Sequence, residues 1–217
     1  MRILAISGSL RRGSHNTSLL RAAEELLPPT FELVFWDGLK DIPPFDEDDE
    51  AGPAPTAVAS LREAVAGADA VLFATPEYNS SIPGALKNAL DWASRPVATN
   101  VFRNKPVAVI GASAGMFGAV WAQAELRKVL ATMGARVAEV EVAVGHATEK
   151  FDEQGLLVSD ETRRELADAL ATLLAELGVA LDGRVVLGET PLDDGAREHA
   201  DELAVLDDGD ALKVLLL

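Results

Sequence analysis

The stretch Gly8-Ser9-Leu10-Arg11-Arg12-Gly13-Ser14-His15-Asn16-Thr17 follows a short apolar run, Ile3-Leu4-Ala5-Ile6, and leads into a helical pattern that begins near Asn16. A strand that feeds a glycine- and hydroxyl-rich loop opening a helix is suited to phosphate. Backbone N–H groups and the positive helix end point outward there, and Ser or Thr hydroxyls add donors. Arg11 or Arg12 brings forked positive charge. Gly8 and Gly13 have the spacing of a P-loop, yet Ser14 and His15 stand where that motif needs Lys followed by Ser or Thr. A dinucleotide fingerprint would need its second glycine where Ser9 and Leu10 lie. The donors that remain suit a compact terminal monophosphate. The plain alternative is an ordinary strand-to-helix turn with a Ser or Asn cap.

Outward from this loop, β-rich runs alternate with helical patterns, the mark of a parallel sheet covered on both faces. Strands are expected at about Arg2–Ile6, Phe31–Trp36, Val71–Ala74, Pro106–Ile110 and Arg136–Val144. Helices are expected at about Asn16–Leu27, Thr56–Ala66, Pro83–Ser94, Gly118–Met133 and Ser159–Leu177. Pro28-Pro29 stops the first helix, Gly134 closes the fourth and Ser159 caps the fifth. Five strands and five helices describe a flavodoxin-like, doubly wound α/β fold with parallel strand order 2-1-3-4-5. Ligands of such sheets bind beyond the carboxyl ends of the strands, where the order reverses. The unusual loops of this chain follow strands one, three and four, so they should meet in one crevice. Between Asp37 and Pro55 lies a proline-rich, acidic segment with neither periodicity, expected as a surface excursion that could wall a pocket.

The chain has 217 residues, no cysteine and three widely spaced histidines. Disulfides, thiolate chemistry and cysteine-held iron–sulfur clusters are excluded, and a histidine-rich metal site is not expected. Any electrons must travel on a bound organic cofactor. A net charge of −16 argues against a nucleic-acid partner. No apolar run is long enough to span a membrane and no signal-peptide layout is present, so a cytoplasmic protein is expected.

Two motifs together are specific. Gly8-Ser9-Leu10-Arg11-x-Gly13-Ser14-x-Asn16 precedes Thr75-Pro76-Glu77-Tyr78-Asn79-x-Ser81-Ile82-Pro83-Gly84-Ala85-Leu86-Lys87-Asn88-Ala89-x-Asp91-Trp92. Over residues 1–178 the chain resembles the NAD(P)H-dependent FMN reductases, a family that includes quinone and chromate reductases. The resemblance implies non-covalent FMN, a flavodoxin-like subunit, and a homodimer or homotetramer with the flavin near the subunit interface. It implies ping-pong hydride transfer from NAD(P)H to the flavin, then to a small-molecule acceptor such as a quinone, azo dye, chromate or free flavin. The alternative is a flavodoxin-like electron carrier with no NAD(P)H oxidation of its own.

By the same resemblance, Ser9, Arg11, Ser14, Asn16 and Thr17 would hold the FMN phosphate and ribityl chain. Arg12 would face solvent or a dinucleotide phosphate. Pro76, Glu77, Tyr78 and Asn79 would run along the flavin ring, with Tyr78 as an aromatic wall. No side chain is assigned as catalytic, since the cofactor carries the chemistry. For Glu77 a positioning or subunit-contact role is preferred to acid–base catalysis. Ser113 and Gly115, in Gly111-Ala112-Ser113-Ala114-Gly115, would form the third wall, beside Met116 and Phe117, for which core packing is the common fate. Leu86, Leu90 and Trp92 belong either to an interface or to the core. Residues 179–217 lie beyond the resemblance. Within them, 182–217 carry ten acidic and three basic residues, and this acidic C-terminal extension is expected to be lightly docked or to add a strand on a partner.

Overall fold

Val71-Leu72-Phe73-Ala74 is apolar on both faces, a pattern stable only in a strand covered from both sides. The computed structural model describes residues 1–179. Its elements are β1 (Arg2–Ser7), α1 (His15–Leu26), β2 (Glu32–Trp36), α2 (Glu47–Glu50), α3 (Thr56–Ala66), β3 (Ala70–Thr75), α4 (Gly84–Ala93), β4 (Pro106–Ala112), α5 (Val120–Thr132), β5 (Arg136–Val137), β6 (Ala143–Val144), α6 (Ala147–Lys150) and α7 (Asp160–Ala175). All pairings are parallel and the order is β2-β1-β3-β4-β5, with β6 also on β4. This is the expected flavodoxin-like, doubly wound sheet. The acidic extension lies outside the described residues.

Alternate side chains of the central strands divide the core in two. Ile3, Ala5, Leu72, Ala74 and Ile110 face α1 and α7, with Leu19, Leu20, Leu166 and Leu170 packed upon them. Leu4, Ile6, Val71, Phe73 and Val109 face α3, α4 and α5. Each fully buried Leu or Phe contributes about 1.5–3 kcal/mol, so the helices are held chiefly by the sheet. Leu86, Leu90 and Trp92 are buried in the second of these layers, at no more than 2% exposure. They belong to the subunit's own core, which removes them from any interface.

Two segments differ from expectation. The strand expected over Arg136–Val144 is broken, although Ala138, Val140 and Val142 alternate with two glutamates. Val140 N–H donates to Ala138 C=O at 2.9 Å, closing a tight turn, and Arg127 from α5 donates to the Val140 carbonyl at 3.1 Å. The ladder to β4 resumes where Gly111 N–H meets Val142 C=O at 2.9 Å. The Asp37–Pro55 segment is more ordered than a bare excursion. Gly38–Asp41 forms a 3-10 turn that buries Leu39, and α2 follows. The Pro43 carbonyl accepts from Asn88 Nδ2 at 2.8 Å and Trp92 Nε1 at 2.9 Å. Phe45 then stacks edge-on against Trp92, tying the segment to α4.

Candidate active site

The register brings the ends of three strands level: Ser7 pairs with Ala74, and Thr75 with Gly111. Gly8 N–H donates to Ala74 C=O at 2.8 Å. A Cβ on Gly8 would sit 3.0 Å from Leu86 Cδ2 and 3.3 Å from Pro76. The first loop can therefore cross the β3 loop only at that small residue. Asn16 joins the same end to β4. Its Nδ2 donates to Ala112 C=O and its Oδ1 accepts Ala112 N–H, both at 2.9 Å, with Asn16 buried. All eleven sequence candidates lie on these loops or in the first turn of α1, at one end of the sheet.

In the first loop Ser14 caps α1, its Oγ accepting the N–H groups of Asn16 and Thr17. The hydroxyl proton of Ser14 remains to donate. Thr17 Oγ1 donates to Ser7 Oγ at 3.1 Å, and Ser7 Oγ also accepts Ser9 N–H at 3.3 Å. Arg11 spends one donor on Gly13 C=O at 2.7 Å and otherwise lies exposed. The N–H groups of Leu10, Arg12, Gly13, Ser14 and His15 find no acceptor among the described residues. Unpaired backbone donors beside a helix start can receive an anion. His15 stacks on Phe151 at 5.4 Å between ring centres. Burial, and then the neighbouring Arg11 charge, pull its pKa below the ordinary imidazole value.

The second loop is braced against α5. Glu77 Oε2 accepts the N–H groups of Trp121 and Ala122, both at 3.1 Å. Those are two of the donors a helix start leaves open, and Ala119 before them has no side chain to serve as a cap. Tyr78 and Ser81 exchange two backbone hydrogen bonds of 3.1 Å around Asn79 and Ser80, both at positive φ. This is the backbone of a tight two-residue hairpin. Ser81 Oγ donates to Glu125 Oε2 at 2.5 Å, a second tie to α5. Tyr78, at the hairpin's base, is 52% exposed.

The third loop is pressed onto the segment after β6. Ser113 N–H donates to Val144 C=O, Ala147 N–H to Ser113 C=O, and His146 N–H to Gly115 C=O, at 2.9–3.0 Å. Ser113 Oγ accepts Gly115 N–H at 3.1 Å. Met116 and Phe117 are exposed, so the core-packing expectation for them fails: the loop turns their side chains outward while Gly118 and Ala119 go under. Ser7, Trp121 and Gln123, near the loops, carry no sequence expectation, and Thr75 opens the second motif without an assigned role. Ser7 and Thr75 end buried strands and look there like ordinary strand residues. Trp121 interrupts the polar face of α5. Gln123 is fully buried, its Nε2 donating to Gly118 C=O at 3.0 Å while its Oε1 has no partner among the described residues. A polar residue at an apolar helical phase was the only sign of it.

The family profile described as NADPH-dependent FMN reductase matches residues 1–149. An NAD(P)H-dependent FMN reductase of Pseudomonas aeruginosa is 44% identical over 174 residues, covering 80% of this chain and 93% of that protein. A quinone reductase of Pseudomonas putida is 38% identical, over 74% of this chain and 86% of its own. Among solved structures, the flavoenzyme NAD(P)H:(acceptor) oxidoreductase FerB of Paracoccus denitrificans superposes with a TM-score of 0.74 at 33% identity. That match spans 82% of this chain and 97% of FerB. With the profile covering well over half its length and relatives this similar, the chain belongs to the NADPH-dependent FMN reductase family.

Proposed function

We propose that this chain is an NAD(P)H oxidoreductase that holds FMN in the notch formed by the β1, β3 and β4 loops and passes electrons to a small-molecule acceptor. The observation that carries the reading is the convergence of three loops on one end of the sheet, the first with five open backbone donors. The residues present fit the group. Those donors, with Ser9, Ser14 and Arg11, supply the hydrogen bonds and charge a phosphate monoester requires, while Thr17 has its hydroxyl proton on Ser7 Oγ and its N–H on Ser14 Oγ and shapes the loop instead. Asn16 acts differently from its neighbours, since both ends of its amide are taken by Ala112; it fixes the loop to β4. Pro76, Glu77, Tyr78 and Asn79 offer a braced edge for a flat ring, and Ser113 and Gly115 a second edge.

Bound FMN would supply hydride chemistry at a flat ring. The chain's part is to bind, orient and keep shape. Glu77 spends its carboxylate on the start of α5, which supports positioning rather than proton transfer. In this reading NAD(P)H and the acceptor use the open side of the notch in turn, and steady-state kinetics are ping-pong. The assembly is a homodimer or homotetramer, as the resemblance to the family implies, working in the cytoplasm.

The test is an absorbance spectrum of the purified protein before and after anaerobic NADPH. Flavin bands that bleach without any added protein partner are expected, and also distinguish an enzyme from an electron carrier. A colourless protein that fails to take up FMN ends the reading.

A further inference from the structure

We propose that the exposed pair Phe117–Trp121 is the surface on which the ring of the electron acceptor lies, and that it selects neutral planar acceptors over small oxyanions. This rests on the oxidoreductase reading above and narrows its acceptor.

Phe117 ends the β4 loop and Trp121 lies in the first turn of α5, yet their rings meet edge-to-face at 4.9 Å and 66°. Both remain exposed, 54% and 47%, and Met116 beside them is 63% exposed. Large apolar side chains left open together usually mark a binding surface. The pair stands beside the notch: Phe117 follows Ser113 and Gly115 in the β4 loop, and Trp121 N–H bonds the carboxylate of Glu77 on the β3 loop. The aromatic rings are therefore anchored at their backbones to both ring-bordering loops. Phe117 limits the orientations open to the indole, presenting a stiff aromatic surface.

The charge around the face points the same way. Residues 76–86 and 113–126 contain no Lys or Arg, while Glu77 and Glu125 fall within them; of the cations that border these segments, Lys87 is paired with Asp91 and Arg127 with the Val140 carbonyl and Glu141, and Lys128 follows on α5. Those two segments offer an oxyanion no cationic side chain, whereas an uncharged aromatic ring loses little on leaving water and gains stacking. For a quinone the balance closes. NAD(P)H gives up a hydride equivalent, two electrons and one proton; solvent supplies the second proton; hydroquinone and NAD(P)⁺ leave.

The test uses FMN-loaded protein. Without reductant, 1,4-naphthoquinone should quench tryptophan emission in the wild type, and Trp121→Phe should abolish most of that quenching, because Trp92 is buried and Trp36, at the end of β2, is half-buried with its indole N–H donated to Ser60 of α3 at 3.2 Å. In turnover, Trp121→Ala should raise the ratio of KM for naphthoquinone to KM for ferricyanide by about tenfold, the size of one lost aromatic contact. Trp121→Phe should recover most of it. Quenching that persists in Trp121→Phe, or an unchanged KM ratio, overturns the proposal. So does a Trp121→Ala protein that drops to a smaller assembly with the ratio intact, which gives the face to a second copy of the chain. A wild type that binds FMN and oxidises NADPH while these tests fail leaves the broader reading standing; one that does neither removes both.

Discussion

Replacing Asn16 by Ala should cost far more than a change of one polar side chain near a surface loop. Asn16 is 3% exposed, and its amide exchanges two 2.9 Å hydrogen bonds with the backbone of Ala112 across 96 residues of sequence. Alanine leaves a buried N–H and a buried C=O without partners. Each such group costs about 1–3 kcal/mol, less whatever local relaxation recovers, so the expected loss is about 2–4 kcal/mol. For a chain of this size that lowers Tm by roughly 5–15 °C. Urea unfolding followed by circular dichroism measures it, with and without FMN. The bond also fixes the first loop to β4, so FMN affinity should fall together with stability. Asn16→Asp should not rescue, because a carboxylate replaces the donor facing Ala112 C=O. A midpoint within 0.5 kcal/mol of wild type, on the scale of ordinary surface substitutions, would refute this account of how the loops are joined.

Arg11→Ala should weaken FMN binding by about ten- to a hundredfold, the range of one charge-assisted hydrogen bond, as read by flavin fluorescence titration. An unchanged affinity would move the phosphate elsewhere. His15 titrates at lower pH folded than unfolded, so the unfolded chain takes up its proton first as pH falls. Relative to His15→Phe, the wild type should hold its stability above the ordinary imidazole pKa and lose it as pH drops below; pH-dependent urea midpoints check the sign. Gly145→Ala should disrupt the third loop, since the new Cβ would lie 2.2 Å from Met116 C=O, whereas Gly13→Ala meets nothing within 4 Å and should keep wild-type stability. Thermal melts of the two variants should separate by several degrees; equal melts would refute the contact.

The strand order was legible because each central strand reads as an uninterrupted apolar run and each connecting helix carries its own stop or cap. Thr56–Ala66 is reproduced to the residue, since proline stands before it and glycine after it. The candidate notch was legible for a similar reason: its three loops follow adjacent strand ends. Local pattern could not reveal what distant residues decide. Strict alternation through Glu139 and Glu141 predicts a strand, and a guanidinium from α5 holding the Val140 carbonyl breaks it. For Glu77 the sequence favours positioning over catalysis without naming what is positioned, because its partners, two backbone N–H groups, lie 44 and 45 residues away. Trp121 and Gln123 each violate the amphipathic pattern of α5, one outward and one inward, and a single sequence gives no reason to prefer either as functional.

The broken border beyond β4 has a consequence for how copies of this molecule can meet. A continuous outer strand offers a row of free amides and carbonyls on which another chain can extend the sheet. Here two paired dipeptides flank a detour, and a side chain from the neighbouring helix already occupies one carbonyl of that detour. Among the described residues strand-on-strand growth finds only two dipeptide edges on that side, so a partner approaching from there would be met chiefly by side chains.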